Sequence, residues 1–119
     1  MFDPDKILKI VETIRLKTEF QTEAGTRTAI NRSYFSSMLK AKLRLEELGN
    51  TLPGDDEIHK TLIEQIKSKN SKMGDKLFAL YELRIKADYD TNEEMESAAI
   101  TSAYGIAKNF NGKINSLTN

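Results

Sequence analysis

The chain reads as an all-α protein, a single-domain helical bundle of about five helices spanning residues 1–119. Three observations predict that class. Apolar residues recur every three or four positions in each segment between breaks. Both prolines and most of the glycines fall in those breaks. No segment alternates apolar and polar residues with the period of two that a half-buried strand requires. At 119 residues the chain is long enough to bury about two thirds of its unfolded surface without covalent staples.

Helix one begins with Asp3 as N-cap and Pro4 at the first helical position, and Ile7, Ile10, Val11 and Ile14 line one face. It is expected to fray before Gly25. Helix two starts near Thr26 or Thr28 and runs to Leu48, where Gly49 supplies a left-handed cap. Its row Ile30, Tyr34, Met38, Ala41, Leu45 and Leu48, widened by Phe35 and Leu39, makes it the central helix. Asn50 to Gly54, with Pro53, turns the chain. Helix three follows Asp55 or Asp56 and points Ile58, Leu62, Ile63 and Ile66 inward, and the polar run Ser68 to Gly74 ends it. Helix four stops near Asp90. Thr91-Asn92-Glu93-Glu94 then has the form of a capping box opening helix five, with Met95, Ala98, Ala99, Ser102, Ala103, Ile106 and Phe110 as its face. The tail after Gly112 is expected to be loose.

Formal net charge is zero, so the molecule as a whole has no strong pull on nucleic acid. The charge is segregated, however. Residues 26–45 carry Arg27, Arg32, Lys40, Lys42 and Arg44 with no acid, whereas 46–57 and 88–96 carry acids alone. A basic stretch of this kind meets phosphates or is simply solvated. No apolar run approaches the roughly 20 residues of a membrane span, the N-terminus lacks a basic-then-apolar leader, and there is no cysteine. These features lead us to expect a soluble cytoplasmic protein without membrane contact. No metal or cofactor pattern is present: Asp88, Asp90, Glu93 and Glu94 fail the calcium-loop spacing, and the glycines compose no phosphate-cradling loop.

Candidate chemistry concentrates on helix four. Leu77, Leu80, Tyr81, Arg84 and Asp88 share one face, so an apolar stripe ends in a guanidinium followed by a carboxylate. A guanidinium keeps its proton even where it is partly dry, and it must find an anion or a hydrogen-bond acceptor there. An intrahelical Arg84–Asp88 pair is the simplest partner and phosphate the alternative. Arg32 lies one turn from Phe35 at the margin of the core. His59 is the only histidine, which excludes a histidine metal cluster and leaves any imidazole chemistry to one residue.

Three segments together resemble a known family. Ala29-Ile30-Asn31-Arg32-Ser33-Tyr34-Phe35 is similar to the "(S/N)RAYY" signature on the second helix of HEPN-domain proteins. Ile58-His59-Lys60 resembles the short histidine motif opening their third helix, and Leu80 to Asp90 is similar to an "LxxLRxxADYD" segment of one HEPN branch. The resemblance implies a helical bundle that dimerises, through helices two and four or four and five, and that belongs to toxin–antitoxin or phage-defence modules. It implies metal-independent ribonuclease chemistry in many members and a nucleotidyltransferase partner in some. The usual motif, an arginine followed after four to six residues by a histidine, is incomplete here. Positions 88, 89 and 90 are Asp, Tyr and Asp, and no histidine follows Arg84.

Three functional expectations follow. In the leading one, Arg84 and Arg32 contact RNA phosphate while cleavage is weak or absent. In the second, the chain is a non-catalytic dimerisation or protein-interaction module. In the third, Arg84 acts with Asp88 or Tyr89 as a ribonuclease toxin, with His59 and Tyr34 as accessory groups, and Tyr89 is an acceptor for a partner nucleotidyltransferase. Asp88 serves as a base in that scheme only against the pull of the Arg84 charge.

Overall fold

The computed structural model describes residues 1–119 and contains five α-helices and no strand. They are α1 (Asp5–Leu16), α2 (Glu23–Glu47), α3 (Ile58–Lys69), α4 (Ser71–Tyr89) and α5 (Ala98–Lys113), with short 3₁₀ turns at Thr18–Phe20 and Ile114–Ser116. No helix is long and apolar enough to cross a membrane.

The 25-residue α2 is the axis of the bundle and packs against each of the other four helices. Pair contacts fix the directions. Arg27 reaches the carbonyls of Lys86 and Ala87 while Tyr34 meets the ring of Tyr81, so α4 runs antiparallel to α2. Ser37 bonds Asn111 and Arg44 bonds the Leu117 carbonyl, so α5 runs parallel to α2. Ser36 bonds the Pro4 carbonyl and Lys40 pairs with Asp3 and Asp5, which sets α1 antiparallel to α2. The core between them holds Val11, Ile30, Tyr34, Leu45, Leu62, Ile66, Leu77, Leu80, Ile100 and Phe110.

Several elements form as their residues dictate. Asp3 Oδ1 accepts the Asp5 amide at 3.0 Å and Pro4 has helical dihedrals, as an N-cap and first helical residue should. Gly49 adopts φ of 90°, the left-handed conformation that ends α2 without steric cost. Helix α2 starts earlier than expected, because Thr22 Oγ1 accepts the Gly25 amide and caps it at Glu23.

Other expectations are corrected. The run Ser68 to Gly74 is no loop: the only break is Asn70, whose Oδ1 accepts the Met73 amide and caps α4 at Ser71. Gly74 then lies inside α4 because a Cβ there would meet Lys67 Cα at 2.5 Å, so its absence lets α3 and α4 approach closely. Thr91 to Glu94 do not start a helix. Asp90 Oδ1 accepts the Asn92 and Glu93 amides, Arg27 donates to the Glu93 carbonyl at 2.7 Å, and Glu23 accepts the Met95 amide, so tertiary bonds override the local box. Helix α5 begins at Ala98 and presents Ile100, Ala103, Ala107 and Phe110 to the core, a face rotated from the expected one, with Ala98 and Ser102 exposed. Ile10 is 59% exposed, its inward place on α1 taken by Leu8. The tail is packed as well: Ile114 and Leu117 are buried, and Arg44 donates twice to the Leu117 carbonyl.

Candidate functional site

The basic stretch 26–45 does not form one phosphate-facing surface, because its cations are divided by helical phase and most are committed within the fold. Arg27 is bonded to Glu23 and to three carbonyls around the end of α4, Lys40 is paired with Asp3 and Asp5, and Arg44 is held by Glu47 and Leu117. Arg32 is placed differently. It opens onto a cleft of about 320 Å³ between α2, the turn before α3, and α4.

Each wall follows from a local feature. Helix α2 contributes Asn31, Arg32, Tyr34 and Phe35 at spacings that share one side. The turn after Pro53 brings Asp55, Asp56 and His59 across from them, and antiparallel α4 brings Arg84. The segments 29–35, 58–60 and 80–90 therefore meet in one place. In sequence, Arg32, His59 and Arg84 are far apart.

The two arginines are joined by a continuous polar chain. Arg84 Nε faces Asp88 Oδ2 at 2.9 Å, with both side chains about one-fifth exposed at 20% and 22%. Asn31 Nδ2 donates to both oxygens of Asp88, at 2.9 and 3.2 Å, and Asn31 Oδ1 accepts from Arg32 Nε at 2.8 Å. Each guanidinium is thus held by its Nε, and the terminal nitrogens of both have no protein acceptor. The heads are further steadied by aromatic faces: Arg32 Cζ lies 4.6 Å from the centre of the Phe35 ring, and Arg84 Cζ lies 5.9 Å from the centres of Tyr34 and Tyr89. Five donors in a fixed fork with the inner one anchored is a geometry suited to a phosphate oxygen pair.

Tyr34, His59 and Tyr81 pack as a triangle with centroids 5.6 Å apart. Tyr34 is buried, and that burial pushes its phenol well above the ordinary range, outweighing the opposing charge of Arg84. Its hydroxyl lies 2.6 Å from His59 Nδ1 and has no other acceptor within reach, and we assign it as the donor of that bond, an assignment that puts the imidazole proton on Nε2. Partial burial holds the His59 pKa below its usual value, as does the Arg84 charge, with Asp56 pulling the other way. His59 is therefore a neutral ring whose Nε2–H is a donor without a protein acceptor.

The arrangement can bind an anion better than it can move a proton. The potential bases are occupied: Asp88 is ion-paired with Arg84 and accepts from Asn31, and His59 Nδ1 accepts from Tyr34. What remains at the arginine wall is a set of donors. Of the sequence-derived candidates, Arg32, Tyr34, His59 and Arg84 come together in the cleft, and Asp88 lies behind it as the anchor of Arg84. Tyr89 does not line the cleft, although its ring lies 5.9 Å from Arg84 Cζ; it is 69% exposed at the last residue of α4, beside Glu82, Ile85 and Lys86. The linking role of Asn31 was not visible from sequence, although it sits in the same motif as Arg32. Its one signal was a side-chain amide within four residues of two aromatics on a core helix.

No protein-family model, curated protein or solved structure matches this chain. The roles of its residues rest on their own geometry and chemistry.

Proposed function

We propose that this domain is an RNA-associated, HEPN-type module of a toxin–antitoxin or phage-defence system, which holds phosphate with Arg32 and Arg84 and cleaves weakly or not at all. The observation that carries this reading is the Arg84–Asp88–Asn31–Arg32 chain, which spends one nitrogen of each guanidinium on positioning and leaves the others directed to a ligand. Weak cleavage follows from the same bonds. In-line attack by a ribose 2′-hydroxyl needs a base to take its proton, and a missing general base costs about 10²–10⁴ in rate. Neither Asp88 nor His59 Nδ1 is free to act as one.

The domain works as a homodimer in this reading. Helix α4 is the better contact surface, since Phe78 on it is exposed while Ala103 and Ala107 of α5 are used inside the core. Tyr89 is accessible to a partner nucleotidyltransferase, and an unchanged intact mass after co-expression with one would remove that role. Light scattering that finds only monomer at tens of micromolar would count against the dimer.

The test of phosphate binding is Arg84→Leu, followed by fluorescence anisotropy with single-stranded RNA and by urea unfolding. RNA affinity should fall at least about tenfold, the loss of one charge-assisted contact. Stability should fall by about 1–2 kcal/mol, because Asp88 loses its cation but keeps Asn31 and partial solvation. Unaltered RNA affinity with destabilisation of roughly 3–5 kcal/mol, the cost of breaking a fully buried pair, would make Arg84 purely structural.

A further inference from the structure

We infer that the cleft takes one nucleotide of an RNA strand, with its phosphate on the Arg32–Arg84 wall and its base edge on Asp56, and that Asp56 confers a preference for guanine. The inference rests on the phosphate-binding reading above and adds to it a subsite for the base.

The cleft is bipolar. Arg32 and Arg84 stand on the helical walls, while Asp55 and Asp56 stand on the turn before α3, and Phe35, Met38 and Ile58 form apolar surface between them. A bare anion gains from the arginines but is repelled by two carboxylates in the same small space. A ligand that is anionic at one end, flat and apolar in the middle, and hydrogen-bond donating at the other end meets no such conflict. A nucleotide has that form, and a cleft of about 320 Å³ is at the small end of ligand pockets.

The two carboxylates are not equivalent. Asp55 is spent on the turn, since its Oδ1 accepts the Glu57 amide at 3.1 Å and its carbonyl accepts the Ile58 amide. Asp56 has no hydrogen bond or ion pair with the protein, yet it lines the cleft and its charge acts on His59. A free carboxylate at the mouth of a pocket reads donors. Guanine alone among the RNA bases carries two adjacent donors on its Watson–Crick edge, N1–H and N2–H₂, which match the two oxygens of one carboxylate as a bidentate pair. Adenine and cytosine pair one amino group with an acceptor nitrogen that the carboxylate repels, and uracil offers a single N–H between two carbonyls. The Arg32 guanidinium over Phe35 gives the base a planar cation to stack on.

The experiment measures anisotropy of short labelled oligouridines, alone or with one central G, A or C, on the full chain at low salt. The G-containing strand should bind about tenfold more tightly than oligouridine, the discrimination expected of one bidentate pair. Asp56→Asn should erase that difference and leave oligouridine binding equal or tighter. Because Asp56 has no protein partner, the variant should keep the wild-type urea midpoint. Equal affinity for all the strands, with binding still lost in Arg32→Gln, would overturn the base subsite and leave the phosphate reading standing. Free guanosine monophosphate binding as tightly as the G-containing strand would overturn the assignment to RNA. Absence of binding by every strand would overturn both readings.

Discussion

Two polar clusters sit on opposite sides of α2, and they differ in what they leave unfinished. Toward α1 and α5, Asn111 donates to Asp5 Oδ1 and to Ser36 Oγ, each at 3.0 Å, and accepts from Ser37 at 2.9 Å, while Ser36 donates to the Pro4 carbonyl at 2.8 Å. Every group closes on protein. Toward α3 and α4, the chain through Asn31 and Asp88 ends in guanidinium nitrogens without a protein partner, and the cleft beside it holds His59, bonded only to Tyr34, and the Asp56 carboxylate, bonded to nothing. The hollow lined by Asp5 and Asn111 is about 400 Å³, larger than the cleft at about 320 Å³. Size therefore does not distinguish a site from a seam here, whereas the state of the hydrogen bonds does.

That contrast can be broken most forcefully at Asn111. Asn111→Leu strands the fully buried Ser37, whose only acceptor is Asn111, and takes a donor from Ser36, which keeps its bond to the Pro4 carbonyl, so it should cost about 2 kcal/mol. RNA affinity should not change, and a parallel loss of affinity would mean that the two clusters are coupled through α2. Tyr34→Phe probes the other side with a smaller effect. It removes the donor to His59 Nδ1 and should cost about 1 kcal/mol of unfolding free energy, measured by urea titration. The freed ring can then carry its proton on either nitrogen, which nitrogen-15 shifts of the imidazole would report.

The smallest expected effect is a pH dependence. The folded-state pKa of His59 is depressed, first by burial and then by Arg84, so the unfolded chain binds its proton more readily. The contribution of His59 to stability is present above its unfolded pKa, near 6.5, and is lost as pH falls through the lower folded value. Urea midpoints of wild type and His59→Gln should therefore converge between pH 7.5 and 5 in that direction. Divergence on acidification would place a net negative field on the ring and contradict the arginine-dominated cleft.

Much of this architecture was legible from local patterns. The row on α2 from Ile30 to Leu45 and the stripe on α4 to Arg84 have the periodicity of their burial, and Gly49 marked its own left-handed turn. What failed had a nonlocal cause. Thr91 to Glu94 satisfy a capping pattern, but Arg27 and Glu23, some seventy residues earlier, hold that segment open. The α5 face departs from the expected one because small residues occur on several sides of the helix, so periodicity alone does not select Ile100 and Ala107. In the cleft, Arg84, His59, Tyr34 and Arg32 stood out as unusual residues on apolar faces. Asn31 and Asp56 did not, because their meaning depends on Asp88 and on a wall formed by other helices.

The central claim is that both arginines end on phosphate, and the salt dependence of RNA binding tests it most directly. For a single strand, log affinity falls against log salt with a slope of about 0.7 for each phosphate contact. Wild type and the Arg32→Gln/Arg84→Gln variant should both fold, with the variant slope shallower by about 0.7 for each contact removed. Identical slopes in the two proteins, at whatever absolute affinity, would show that neither guanidinium meets a phosphate and would contradict the account.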